Sequence, residues 1–160
     1  MSGTTVSRSG TNEMLDPGLI MQIGMGFFPS KALLSAVELG LFTALGSETL
    51  TGAEVAGRLD LRSRAVYDFL DGLVALHLLE RDGSGEEARY RNSAATAQFL
   101  DRAGPAYVGG ILEMANARLY GFWGGLTEDL KTGEPQSESK HTGSSMFEEL
   151  YREIGSRMTR

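Results

Sequence analysis

The stretch Phe69-Leu-Asp-Gly-Leu-Val-Ala-Leu-His-Leu-Leu-Glu-Arg-Asp-Gly-Ser-Gly-Glu-Glu-Ala-Arg-Tyr-Arg91 decides how this chain folds. It begins inside a helix. Val66, Phe69, Leu70, Leu73 and Val74 recur at helical spacing, Ser63 is placed to cap that helix, and the pattern ends near Leu76. Then the period changes. Leu78 to Arg81 and Ala88 to Arg91 read as two short strands, and Asp82-Gly-Ser-Gly85 supplies the turn between them. Immediately upstream, Thr51-Gly-Ala-Glu54 is a capping box, with Leu50 and Val55 placed as a hydrophobic staple, so a short helix runs to about Leu59. Before it, Leu33, Leu34, Val37, Leu41 and Ala44 share one face of a helix from about Ser30 to Leu45, which Gly46 terminates. Three helices and a hairpin over residues 32–91 follow the order of a winged helix.

A winged helix invites a DNA-binding reading, and the charge opposes it. Residues 51–91 hold eight acids (Glu54, Asp60, Asp68, Asp71, Glu80, Asp82, Glu86, Glu87) against six arginines (Arg58, Arg62, Arg64, Arg81, Arg89, Arg91). The whole chain of 160 residues carries a net charge of −6. A duplex reader normally presents a basic face, because phosphate neutralisation supplies most of its affinity. The same balance disfavours anionic membranes. The chain has no cysteine, which excludes disulfides and thiolate metal sites, and 41% hydrophobic content supports a packed core. No uninterrupted apolar run approaches the ~20 residues of a membrane helix. Residues 1–12 show no apolar run resembling a secretion signal. A cytoplasmic protein without membrane or nucleic-acid partners is expected.

Outside the winged helix the pattern is helical. Residues 1–13 are small and polar and are expected to be a disordered tail, as are residues 155–160. Asp16-Pro17 reads as an N-cap followed by Pro at the first helical position. The apolar set Leu19, Ile20, Ile23, Phe27 and Phe28 follows, with a break expected before Pro29. After the hairpin Ser93 caps a short helix to about Leu100, and Gly104-Pro105 ends it. One long helix is expected from about Pro105 to Lys131, apolar on more than one face and therefore packed on both sides or within a dimer. A polar loop from Thr132 to Ser145 and a last amphipathic helix around Met146 to Ile154 complete the pattern. The fold class is mainly α: a winged-helix-like core with one small β-hairpin, plus N- and C-terminal dimerisation helices.

Catalytic chemistry is sparse. Gly24-Met-Gly26-Phe-Phe-Pro29 has the look of a nucleotide loop, but no strand precedes it and Pro29 replaces the third glycine. His77 sits beside the wing and His141 in a polar stretch, and neither is spaced for metal binding or catalysis with a carboxylate. The acid pairs Glu86-Glu87, Glu128-Asp129 and Glu148-Glu149 read as solvated faces. No catalytic or metal residue is assigned. The richer feature is Asn116, Tyr120 and Trp123 at i, i+4, i+7, one face of a helix. With Phe27 they are candidate lining residues of a pocket for a planar aromatic molecule. Helix–helix packing explains the same spacing.

The chain resembles the N-terminal dimerisation domain of the small-molecule O-methyltransferases that use S-adenosylmethionine, including plant caffeate and flavonoid enzymes and bacterial natural-product enzymes. The resemblance is carried by Ala36-Val-Glu-Leu-Gly-Leu-Phe42, Leu50-Thr-Gly-Ala-Glu-Val-Ala56, Phe69 to Glu80, Tyr90-Arg-Asn-Ser93 and the Trp123 to Gly133 stretch, in that order, over about Leu15 to Arg152. It implies a dimerisation domain over residues 14–154 whose winged helix serves as a scaffold and roofs an acceptor pocket. It implies a homodimer through residues 14–28 and 105–126, and a small-molecule acceptor. S-adenosylmethionine is the cofactor of the full-length family. Its Rossmann-like binding domain is missing from this sequence, so no cofactor is expected to bind residues 1–160 alone, and no activity is expected of them. Two other readings stay open: a transcription regulator using Arg62, Arg64, Arg89 and Arg91 against phosphates, and a non-catalytic binding module built on the Asn116, Tyr120 and Trp123 face.

Overall fold

The computed structural model describes residues 15–134. Two helices come first, α1 (Gly18–Gly24) and α2 (Phe27–Glu38). The Asp16 carboxylate accepts the Gly18 amide at 2.9 Å, as a capping side chain does, although α1 begins one residue after Pro17 rather than at it. The chain turns at Met25–Gly26, earlier than the expected break. Pro29 lies inside the first turn of α2, where its missing N–H costs nothing because those amides have no intrahelical partner. The helix expected over 30–45 is two helices. Gly40 adopts φ +70°, a left-handed conformation, and separates α2 from α3 (Leu41–Leu45).

The winged-helix core then follows: β1 (Leu50–Thr51), α4 (Gly52–Arg58), α5 (Ser63–Ala75), β2 (Leu79–Asp82) and β3 (Arg89–Asn92). The capping box forms as the sequence predicts. Thr51 Oγ1 accepts from the Glu54 amide at 3.3 Å, and Glu54 Oε2 accepts from the Thr51 amide at 2.7 Å. The staple residues Leu50 and Val55 are both buried. The N-cap of α5 is Arg62 rather than Ser63. The Leu61 amide is tied to the Ala56 carbonyl at 2.9 Å, which closes α4 in the short connection that leads into α5.

The hairpin strands lie one residue later than expected, and a third strand joins them. Strand order is β1-β3-β2, all antiparallel, with Leu50 opposite Tyr90 and Leu79 opposite Asn92. This third strand places a sheet edge between α3 and α4, the usual position of the first strand in a winged helix. The core gathers beneath the sheet: Leu41, Phe42, Leu45, Val55, Leu70, Leu73 and Tyr90 are almost fully buried.

Ser93 caps α6 (Ala94–Phe99), accepting from the Thr96 amide at 3.4 Å. The long helix expected over 105–131 is divided. It starts at Gly109 as α7 (Gly109–Met114), widens into a π-helical turn over Ala115–Leu119, and continues as α8 (Tyr120–Trp123). It turns at Gly124–Gly125 before α9 (Leu126–Thr132). The two adjacent glycines carry no side chain to hold the helix through that point. The expected loop and terminal helix beyond residue 134 lie outside the described residues, as do both tails.

Two helices run almost end to end over Gly18–Glu38, 21 residues with a mean hydropathy of 1.2, long and apolar enough to cross a membrane by length and composition. The bend at Met25–Gly26 interrupts that span.

Candidate functional site

A concavity of about 630 Å³ lies where α2 passes the start of α5. On α2, Phe28, Lys31, Ala32, Ser35 and Leu39 recur three and four residues apart, so one helical face forms one wall. Leu61 and Arg62, just ahead of α5, and Ala65, Val66 and Phe69 on it form the other wall. Phe27 and Tyr120 complete the lining. The Phe27 and Phe28 rings stack with centroids 4.3 Å apart. Four aromatic rings, several aliphatic side chains and two cations therefore face one space, a composition suited to a planar molecule.

Lys31 is held from the far side. Its Nζ donates to Asn116 Oδ1 at 2.7 Å and lies 5.3 Å from the centroid of the Tyr120 ring. Asn116 Nδ2 in turn donates to Glu38 Oε2 at 2.5 Å. Asn116 thus ties the π-helical turn to α2 and stands between Lys31 and the carboxylate. A smaller, polar concavity of about 380 Å³ lies on that side, lined by Lys31, Glu38, Arg102, Glu113, Asn116 and Ala117. In it Arg102 pairs with Glu113 at 2.5 Å, and the Tyr107 hydroxyl donates to the same carboxylate at 2.7 Å.

The four candidate residues from the sequence are placed differently from one another. Phe27 and Tyr120 line the aromatic cavity. Asn116 lines the polar concavity and acts on the aromatic one through Lys31. Trp123 is 70% exposed and lines neither. The π-helical turn accounts for the divergence, because its extra residue per turn rotates later residues away from the face that regular 3.6-residue spacing predicts. Lys31, Phe28 and Phe69 are not among the sequence candidates, and Arg62 enters there only as a phosphate contact of the regulator reading. The available signal was Lys31, a single cation within the apolar run from Gly18 to Val37.

Most cations of the winged helix are matched to carboxylates. Arg58 meets Glu48 through two bonds of 3.0 and 2.7 Å, Arg81 meets Asp71 at 2.7 Å, and Arg91 bridges Glu80 and Asp82. Arg89 lies 3.8 Å from Glu54. These contacts hold the Glu48 and Asp71 carboxyls below their ordinary range, chiefly through the arginine hydrogen bonds. Among the described residues, no group of three or more His, Asp or Glu side chains is assembled for a metal.

The comparisons with known proteins agree with one another. The O-methyltransferase dimerisation domain model matches residues 21–102. The chain is 49% identical over 124 residues to the tetracenomycin polyketide synthesis 8-O-methyl transferase TcmO of Streptomyces glaucescens, covering 78% of this chain and 36% of that protein. It is 39% identical over 132 residues to the N,N-dimethyltransferase OxyT of Streptomyces rimosus, covering 82% of this chain and 37% of that protein. Among solved structures, human N-acetylserotonin methyltransferase in complex with SAM superposes with a TM-score of 0.76 at 27% identity, covering 92% of this chain and 44% of that one. The chain therefore spans well under half the length of the proteins it matches.

Proposed function

The chain belongs to the O-methyltransferase dimerisation domain family, and on that premise we propose that it is the dimerising, acceptor-shaping N-terminal part of an S-adenosylmethionine-dependent methyltransferase. The acceptor we assign is a small hydroxylated molecule, aromatic or polyketide-like. The observation that carries this reading is the cavity of about 630 Å³ lined by Phe27, Phe28, Phe69 and Tyr120. An oxygen acceptor is chosen because the relative at 49% identity is named for O-methylation. The N,N-dimethyltransferase among the relatives means that likeness in this domain does not by itself choose between oxygen and nitrogen.

The methyl donor does not fit this cavity. Its carboxylate suits Lys31 or Arg62, but its sulfonium and amino groups are cationic and its ribose hydroxyls call for a carboxylate partner. The lining supplies Lys31 and Arg62 and no carboxylate. The donor therefore belongs with the part of the relatives that this chain does not span, and residues 1–160 should bind an acceptor without methylating it. The partner that completes the assembly is a second copy of the chain, joined through residues 14–28 and 105–126, and the compartment is the cytoplasm. The regulator reading is weaker, because Arg89 and Arg91 already face carboxylates within the chain.

Calorimetry and a methylation assay test the proposal together. The purified chain is expected to bind a hydroxylated naphthalene and, given S-adenosylmethionine, to leave it unmethylated. Methyl transfer by the chain alone would overturn the division of labour. Absence of binding, with a salt-dependent shift of duplex DNA, would return the winged helix to the regulator reading.

A further inference from the structure

We propose that Lys31 and Arg62 make the aromatic cavity selective for an anionic acceptor, a planar aromatic carboxylate rather than a neutral phenol. The inference rests on the acceptor-pocket reading and adds the charge of the ligand to it. The chain as a whole is acidic, with 21 Asp and Glu against 15 Lys and Arg. The cavity inverts that balance, since its lining holds two cations and no acid.

Pairing elsewhere makes the inversion specific. Arg58, Arg81, Arg89, Arg91 and Arg102 each lie against a carboxylate. Among the described residues, neither Lys31 nor Arg62 has a carboxylate within ion-pair distance. Lys31 is held by two neutral groups, the Asn116 amide oxygen and the Tyr120 ring, which orient the ammonium without cancelling its charge. Glu38 is kept one residue away, bonded to Asn116. Arg62 approaches from a different element, at the N-cap of α5. The guanidinium can take a carboxylate through two parallel bonds, while the ammonium adds a point charge. Aromatic walls lower the local dielectric and strengthen both attractions.

The test compares two ligands of equal size, 3-hydroxy-2-naphthoate and 3-hydroxy-2-naphthamide, titrated calorimetrically into the full 160-residue chain. The naphthoate is expected to bind about tenfold tighter or more, as a charge-assisted bond predicts. The preference should shrink as salt is raised. Lys31→Met and Arg62→Gln should each weaken the naphthoate by a larger factor than the naphthamide, so that the preference between them falls, and Lys31→Arg should restore most of it. Equal binding of the two ligands, or variants that leave the preference intact, would overturn the charge selection and leave the acceptor pocket standing. Failure of both ligands to bind would overturn both. Dissociation of the oligomer by Lys31→Met or Arg62→Gln would assign the cavity to a second copy of the chain and overturn the inference.

Discussion

At the scale of single residues, Asn92 and Tyr90 hold the sheet to the helices beneath it. Asn92 is buried near the end of β3, and its Nδ2 donates to the carbonyls of Phe42 and Gly46 at 2.8 and 3.0 Å. The Phe42 carbonyl also accepts the Gly46 amide at 3.0 Å, and the Gly46 carbonyl lies just past the end of α3, so Asn92 closes that helix end from the sheet. Asn92→Asp replaces the shared donor with a group that only accepts and sets it against two carbonyl oxygens. A loss of about 2–3 kcal/mol is expected from the unpaired, partly charged contact. Urea unfolding with an unchanged slope checks it, and a variant within experimental error of the parent would refute the role. The Tyr90 ring is equally buried, and its hydroxyl donates to Asp71 Oδ1 at 2.9 Å. Burial first, and the bond to Asp71 second, push the phenol from 10.0 up to about 12. A group whose folded pKa is raised contributes stability below its unfolded pKa and loses it as pH climbs through the folded one. The parent should therefore lose stability between about pH 10 and 12 more steeply than Tyr90→Phe, as followed by unfolding at a series of alkaline pH values. Parallel curves would show that the hydroxyl contributes nothing there.

At the scale of elements, helix ends decide the layout. α5 closes with His77 at φ +58°, its amide bonded to the Val74 carbonyl and the Leu78 amide bonded to Leu73, both at 2.9 Å. That pair of bonds is a Schellman motif. α4 closes in a related way, with Asp60 at φ +52° and the Leu61 amide on Ala56. Neither position carries the glycine that such an end favours, so His77→Gly should stabilise the chain by about 0.5–1 kcal/mol. A thermal midpoint that falls instead would mean the imidazole makes a contact that outweighs the strain. Such ends mark how far the sequence could be read. The capping box of α4 was legible because its four residues interact with one another. The strand Leu50–Thr51 was not, since two residues hold no periodicity and their partner Tyr90 is distant in sequence. The long helix was overextended because a hydrophobic pattern persists through the π-helical turn and through Gly124–Gly125, while the backbone does not. In the cavity, Phe27 and Tyr120 advertise themselves as aromatic residues. Lys31 stands out as the single cation between Gly18 and Val37, but its place beside Arg62 follows only once α2 lies against α5, a tertiary fact.

At the scale of the whole molecule, the described chain leaves its outer helices unpartnered. Leu19, Ile20 and Ile23 on α1 are 68%, 73% and 71% exposed, and Ile111 on α7 is 64% exposed. No residue of α1 is buried, although the core beneath the winged helix is well packed. Apolar patches on this scale mark surfaces that another body covers. The family supplies the argument for a second copy, because the matched model is a dimerisation domain and begins at residue 21, within α1. The chain should then migrate at twice its 17.2 kDa mass at micromolar concentration. Ile20→Asp with Ile23→Asp places two charges on the exposed face of α1, where burial against a partner would leave them desolvated and unpaired. Neither side chain is in the core, so the double variant should keep its circular dichroism and run as a monomer by sedimentation. A parent that is monomeric throughout would overturn the dimer, and a double variant that stays dimeric would move the interface away from α1. Partition of the parent into neutral lipid vesicles, lost in the double variant, would instead mean that the apolar stretch Gly18–Glu38 meets a membrane, and the dimer assignment would fall.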